Sequence, residues 1–118
     1  MKEHFLARML EIYFGEDDRW HDKPLHEAIL AKCLELGMAG AIVYRGIEGY
    51  GTSTRIRHAN FWTLSKDAPV MFSIVDTEDK INRLIPHLDV MVREGLVAMS
   101  QVEVIRFSVS SAKNPQIL

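Results

Sequence analysis

Strand-like and helix-like stretches follow one another in the order βαββαβ along this 118-residue chain. That order predicts an α+β domain of the ferredoxin-like kind, a four-stranded antiparallel sheet with both helices on one face. Three observations carry the prediction. Four apolar segments, FLARMLEIYFG (5–15), AIVYR (41–45), PVMFSIVD (69–76) and VEVIRF (102–107), have strand length or strand alternation. Two segments between them repeat their apolar residues at helical spacing. The length suits one core that buries roughly two-thirds of the unfolded surface, so the chain reads as a single domain over 1–118.

The first strand places Leu10, Ile12 and Phe14 on one side and Met9 and Tyr13 on the other. After the turn-rich EDDRWHDK comes the first helix, PLHEAILAKCLELG, where Pro24 suits the first turn and Gly37 the C-terminal cap. Leu25, Ala28, Ile29, Cys33 and Leu36 form its apolar stripe, which places Cys33 in the core. Trp20 is expected to pack against that helix. In the third strand Val70, Phe72 and Ile74 face one way while Met71 and Val75 face the other. Asp76 or Thr77 caps the second helix, whose stripe is Ile81, Leu84, Ile85, Leu88 and Val92. Pro86 lies inside that pattern and predicts a kink or two shorter helices, and Gly95 is placed to end the run. A weakly held tail is expected over about 108–118. Because both faces of the central strands are apolar and the helices cover one, the other face is expected to associate with copies of the same chain.

Composition excludes several function classes. Apolar residues make up 47% and charged residues 25%, which is globular rather than disordered. A formal net charge of −2 leaves no global footprint for nucleic acid. One cysteine permits no internal disulfide and no multi-cysteine zinc site, and fits a cytoplasmic protein. No apolar window approaches the roughly 18 residues of a membrane span, so no membrane insertion is expected. The histidines lack close metal-ligand spacing such as HExxH, and no Ser-His-acid set, activated cysteine or facing carboxylate pair can be placed, so the chain does not read as an enzyme.

Chemistry concentrates in YRGIEGYGTSTRIRH (44–58), which opens a long loop of about 46–68 after the second strand. Gly46, Gly49 and Gly51 permit positive backbone torsions and a close approach of main-chain N–H groups to an anion. Arg45, Arg55 and Arg57 offer forked donors suited to phosphate or carboxylate, and His58 adds a pH-sensitive donor. The spacing GxxGxG followed by no helical pattern fails the dinucleotide test. A solvated glycine-rich hairpin is the bland alternative; RIRHANFWTL alternates well enough to extend one, with Arg55 and Arg57 on one side and Ile56 and His58 on the other. Glu48 is read as facing water, and Phe61 and Trp62 as interface anchors.

The stretches LEIYFGEDDRWHDKPLHEAI, LGMAGAIVYRGIEGYG, RIRHANFWTLSKDAPVMFSIVDTEDKI and LDVMVREGLVAMSQVEVI together resemble the PII-like signalling superfamily, in its uncharacterised branch, domain of unknown function family one-ninety. The resemblance spans about residues 8–106. It implies a homotrimer whose long T-loop changes conformation with a small ligand and meets a protein partner, such as a transporter or enzyme. It also implies adenine-nucleotide binding in clefts between subunits near the loop base, at Arg45, Gly46, Gly49 and Gly51; Arg55, Arg57 and His58 rest on chemistry alone. No cofactor is implied beyond a nucleotide effector. One departure stands out. Where PII proteins carry a second glycine-rich segment ending in lysine, this chain reads REGLVAMSQVEVI, with one glycine and no lysine, which points away from triphosphate and toward a smaller nucleotide or another anion. Two further readings belong to other classes: an acylphosphatase-like hydrolase, opposed by the acidic GEDDRW after the first strand, and a trimeric scaffold that needs no ligand.

Overall fold

The computed structural model of the chain describes residues 1–50, 56–58 and 68–109, with the side chains of Tyr50 and of 56–58 excepted. Strand β1 (Lys2–Gly15) leads through a short ribbon, β2 (Arg19–Trp20) and β3 (Lys23–Pro24), into helix α1 (Leu25–Glu35). Strand β4 (Ile42–Arg45) follows, then β5 (Glu48–Tyr50) and β6 (Ile56–His58), which pair with each other. Strand β7 (Pro69–Asp76), helix α2 (Glu78–Met91) and strand β8 (Leu96–Phe107) complete the order.

Strands β4, β7, β1 and β8 lie side by side in one antiparallel sheet. Register fixes which side chains share a face: Leu10 lies opposite Ile74, Ile12 opposite Phe72 and Phe14 opposite Val70. Those six are buried and form the sheet's half of the core, against Leu25, Ala28, Ile29 and Cys33 of α1 and Ile81, Leu84, Leu88 and Met91 of α2. Both helices therefore cover the same face, as the sequence predicts. The apolar stripes hold, with Leu36, Ile85 and Val92 packed at the margin and Trp20 beside them.

Several boundaries differ from expectation. Strand β8 starts at Leu96 rather than near residue 102, because its pairing with β1 continues as far as Tyr13 opposite Leu96. Chain reversal before β8 requires Gly95. It sits at φ 150°, and a Cβ there would overlap the Tyr13 carbonyl oxygen. Pro86 lies inside α2 without dividing it; its missing N–H removes one hydrogen bond while packing holds Leu84 and Leu88 on either side. Pro24 stands at the N-cap of α1, one position before the helix, and Gly37 at φ 72° closes that helix as predicted.

At the end of β7, beside the head of α2 and the connection that follows α1, Asp76 is only 3% exposed. It accepts hydrogen bonds from the Ala39 N–H at 2.8 Å and the Thr77 N–H at 2.7 Å. Thr77 Oγ1 in turn accepts from Lys80 N at 3.3 Å, capping α2, and Lys80 Nζ donates to the Gly37 carbonyl at 2.8 Å. One buried carboxylate thus joins the α1–β4 connection to the head of α2.

Among the described residues, no helix covers the sheet's other face. Tyr44 lies opposite Met71, Ile42 opposite Ser73, Met9 opposite Val75, and Tyr13 between Met71 and Leu96. Tyr13, Ile42, Tyr44 and Leu96 are 38–50% exposed there. Among the described residues, no helix is long and apolar enough to cross a membrane.

Candidate functional site

Antiparallel order brings three chain ends to one edge of the sheet: the end of β1 at Gly15, the end of β4 at Arg45, and the start of β7 at Pro69. Gly15 lies opposite Pro69, and Arg45 opposite Val70. The segment between Arg45 and Pro69 therefore leaves and re-enters the body at one place. Two backbone hydrogen bonds tie that place together: Gly46 N–H donates to the Pro69 carbonyl at 2.7 Å and Glu16 N–H to the Ala68 carbonyl at 2.7 Å. Ala68 is fully buried.

Glu16 acts twice here. Besides its backbone bond to Ala68, its carboxylate receives Arg45 Nε at 3.2 Å through Oε1 and 3.1 Å through Oε2. The turn that carries it is tight, with Asp18 N–H donating to the Gly15 carbonyl at 3.0 Å and the Asp18 carboxylate accepting from Gly15 N–H at 3.3 Å. Leu25 N–H then donates to the Asp18 carbonyl at 2.7 Å, fixing the turn to the head of α1. A shallow groove of about 320 Å³ opens beside this cluster, lined by Glu16, Asp17, Arg19, Pro24, His26 and Arg45. Arg19 donates to the Asp22 carbonyl across the β2–β3 turn. In that turn His21 takes the left-handed conformation, at φ 55°, with its ring 4.3 Å from that of Trp20.

The predicted site residues separate. Arg45 and Gly46 lie at the root and face the same cluster, whereas Gly51 and Arg55 lie outside the described residues. For Arg57 and His58 only the backbone is described, opposite Gly49 and Glu48 respectively. The expectation of positive torsions fails for Gly46 and Gly49, since the described glycines in that region of φ are Gly37 and Gly95. Gly46 is needed for another reason: a Cβ there would stand 2.8 Å from Pro69 Cγ and 3.3 Å from the Pro69 carbonyl oxygen. A Cβ at Gly49 would meet nothing within 4 Å among the described residues, so no close approach seen there explains it. The Gly46 N–H is spent on Pro69 and lines no anion nest.

Sequence reasoning predicted a carboxylate or phosphate for Arg45 and missed that the chain supplies the carboxylate itself. The signal was available. With β1 and β4 flanking β7, residue 16 falls beside residue 45, and GEDDRW was noted only as unsuitable for phosphate.

Among the described residues no catalytic set assembles at this edge. Cys33 is 3% exposed within the core, and burial, followed by the charge of Asp76, pushes its thiol up to about 11, away from nucleophilic reactivity. Among the described residues no group of three or more His, Cys, Asp or Glu side chains could hold a metal ion. What the cluster offers is anion chemistry: the guanidinium of Arg45 has two terminal nitrogens that its bonds to Glu16 do not use.

Comparison with known proteins agrees with this architecture. The model of the family DUF190, described as Uncharacterized ACR, matches residues 7–104. A UPF0166 protein of Aquifex aeolicus is 35% identical over 98 residues, covering 83% of this chain and 92% of that protein. A UPF0166 protein of Methanocaldococcus jannaschii is 33% identical over 99 residues, covering 83% and 91%. Among solved structures, CPII from Thiomonas intermedia K12, bound to ADP and bicarbonate, superposes with a TM-score of 0.64 at 16% identity, covering 86% of this chain and 91% of that one. CPII is described as a nitrogen regulatory PII-like protein. By its sequence the chain belongs to the uncharacterised DUF190 family, and its fold is that of the PII-like proteins.

Proposed function

We propose that this chain is a PII-like regulatory protein, working in the cytosol as a homotrimer without catalysing a reaction. A small anion, with an adenine nucleotide as the leading candidate, binds in clefts between subunits beside Arg45 and Gly46. The loop of about 46–68 meets a protein partner, and ligand and loop are coupled because the ligand has different affinity for the loop's states. Gly49, Gly51, Arg55, Arg57 and His58 belong to this proposal as loop residues that complete the anion site.

The observation that carries the reading is the convergence of both ends of the loop on Glu16, Arg45 and Pro69, next to an open groove. Whatever binds at that edge touches both ends of the loop at once. Support for self-association is separate: the uncovered sheet face exposes Tyr13, Ile42, Tyr44 and Leu96 together, and an apolar face of this kind is expected to be covered in solution. CPII, bound to ADP and bicarbonate, shows that this fold accommodates such ligands.

The test has two parts. Sedimentation equilibrium of dilute protein is expected to give a trimer, and a stable monomer removes the intersubunit cleft. Isothermal titration with ADP, AMP and bicarbonate is expected to give saturable binding that falls at least about tenfold in Arg45→Ala, since charge-assisted contacts of Arg carry about 1.5–3 kcal/mol. A trimer that binds none of the three, yet captures a partner regardless of metabolite, would establish the scaffold reading instead.

A further inference from the structure

We infer that Glu16 is a built-in competitor for the anion subsite at Arg45, so that an incoming anion binds by displacing the Glu16 carboxylate from that guanidinium. This rests on the proposed binding of an anion at the root of the loop, and it assigns to Glu16 the control of which anions succeed there.

Geometry supports it in three steps. First, the Glu16 carboxylate places both oxygens on Arg45 Nε, at 3.1 and 3.2 Å, so an oxyanion that takes the forked Nε edge of the guanidinium must displace it. Second, the competitor cannot diffuse away: the Glu16 N–H is bonded to the buried Ala68 at 2.7 Å, and its turn is held through Gly15 and Asp18. Displacement is therefore a rotation of the side chain, with the backbone remaining in place. Third, the rotation is feasible. The Glu16 and Arg45 side chains are 30% and 48% exposed, so water can receive either group, and the adjoining groove of about 320 Å³ leaves room for an anion on the Arg45 side.

Selectivity follows from the competition. A protein whose binding-competent state is only partly populated binds with its affinity reduced by that fraction. An exposed ion pair lowers the free fraction of Arg45 about two- to fivefold. A weak single-point anion gains little after displacing a carboxylate, whereas a group presenting several oxygens, such as a diphosphate, keeps enough contacts to win. Charge balance acts in the same direction: in the groove two carboxylates, Glu16 and Asp17, face two guanidiniums, Arg19 and Arg45, with His26 alongside.

The test uses the full chain and ADP as probe, by isothermal titration at low ionic strength, on wild type and on Glu16→Gln, Glu16→Asp and Asp79→Asn. Glu16→Gln is expected to bind ADP about fivefold tighter. Glu16→Asp keeps the charge but falls one methylene short of Arg45, and is expected to bind about twofold tighter. Asp79→Asn, on the head of α2 at the other end of β7 and paired with Arg83, changes net charge by the same amount as Glu16→Gln away from the groove, and is expected to change affinity less than twofold. In the double variant Arg45→Ala with Glu16→Gln, the gain from Glu16→Gln is expected to vanish. A wild type that binds ADP with no gain in Glu16→Gln overturns the competition while leaving the ligand reading intact. An equal gain in Asp79→Asn, with none in Glu16→Asp, reduces the effect to net charge and also overturns it. Absence of ADP binding by wild type and all variants, each melting within a few degrees of wild type, removes the ligand reading and the inference together.

Discussion

Each end of β7 is secured by one carboxylate, and the two carboxylates are set in opposite surroundings. Asp76 is buried and accepts two backbone N–H groups, from Ala39 and Thr77. Glu16 is partly exposed and holds an arginine side chain. A carboxylate bonded to main-chain donors in the interior has no competitor, because water is absent and the donors cannot turn away. A carboxylate paired to a guanidinium at the surface has water and every dissolved anion as competitors. The molecule has thus built a permanent junction where α1 ends and α2 starts, and an exchangeable one where the loop starts.

Removing the permanent junction is expected to have the largest effect. Asp76→Ala leaves two interior N–H groups without their charged acceptor, and each such loss costs about 1–3 kcal/mol, so about 4 kcal/mol of stability is expected to disappear. Urea denaturation measures it, and a loss under about 1 kcal/mol would erase the contrast between the two ends. Alkaline pH probes the same end through Cys33, near Asp76. The thiol is raised in the folded protein from 9.0 to about 11, so its neutral form is favoured by folding. That stabilisation is complete below pH 9 and is lost as pH rises through about 11, when the unfolded chain has ionised first. The expected loss is about 3 kcal/mol, read as the difference in pH dependence between wild type and Cys33→Ala.

The permanent end was legible in the sequence and the exchangeable end only partly. Helix stripes and strand alternation identify the core because apolar spacing is a local signal, and Leu10, Ile12, Phe72 and Ile74 fall where period two places them. The cap at Asp76 and Thr77 is also local, three residues before Lys80. Glu16 and Arg45, by contrast, are 29 positions apart. Their meeting follows from strand order rather than from any motif, and Gly46 looked like a torsional requirement because a glycine's packing role is invisible without its neighbour Pro69. The early start of β8 escaped for a related reason: LVAMSQ lacks a clean alternation, and its pairing is imposed by β1.

Within the loop root, the two glycines of GIEG separate packing from torsion. Gly46→Ala forces a Cβ to 2.8 Å from Pro69 Cγ, against a ring with little freedom to move, and is expected to cost about 1–2 kcal/mol. Gly49→Ala meets nothing within 4 Å among the described residues and has no positive φ to preserve, so it is expected to be neutral or to stabilise by a few tenths of a kcal/mol through the unfolded chain. Thermal melting of the pair decides it; equal destabilisation would mean that the root is held by something other than the contact with Pro69.

The smallest expected effect is the most telling about exchange. If the Glu16–Arg45 pair is a surface contact in equilibrium with water, Glu16→Gln lowers stability by only about 0.2–1 kcal/mol, and the difference from wild type shrinks further as salt is raised, since the Debye length falls from about 10 Å at 0.1 M to about 3 Å at 1 M. Asp76→Ala measured in the same series is expected to keep its full cost, because the donors facing Asp76 are uncharged backbone groups out of reach of mobile ions. Two carboxylates at opposite ends of β7 would then answer salt differently. A Glu16→Gln loss of several kcal/mol that persists in high salt would show the pair to be fixed architecture, and an anion could no longer be expected to take its place.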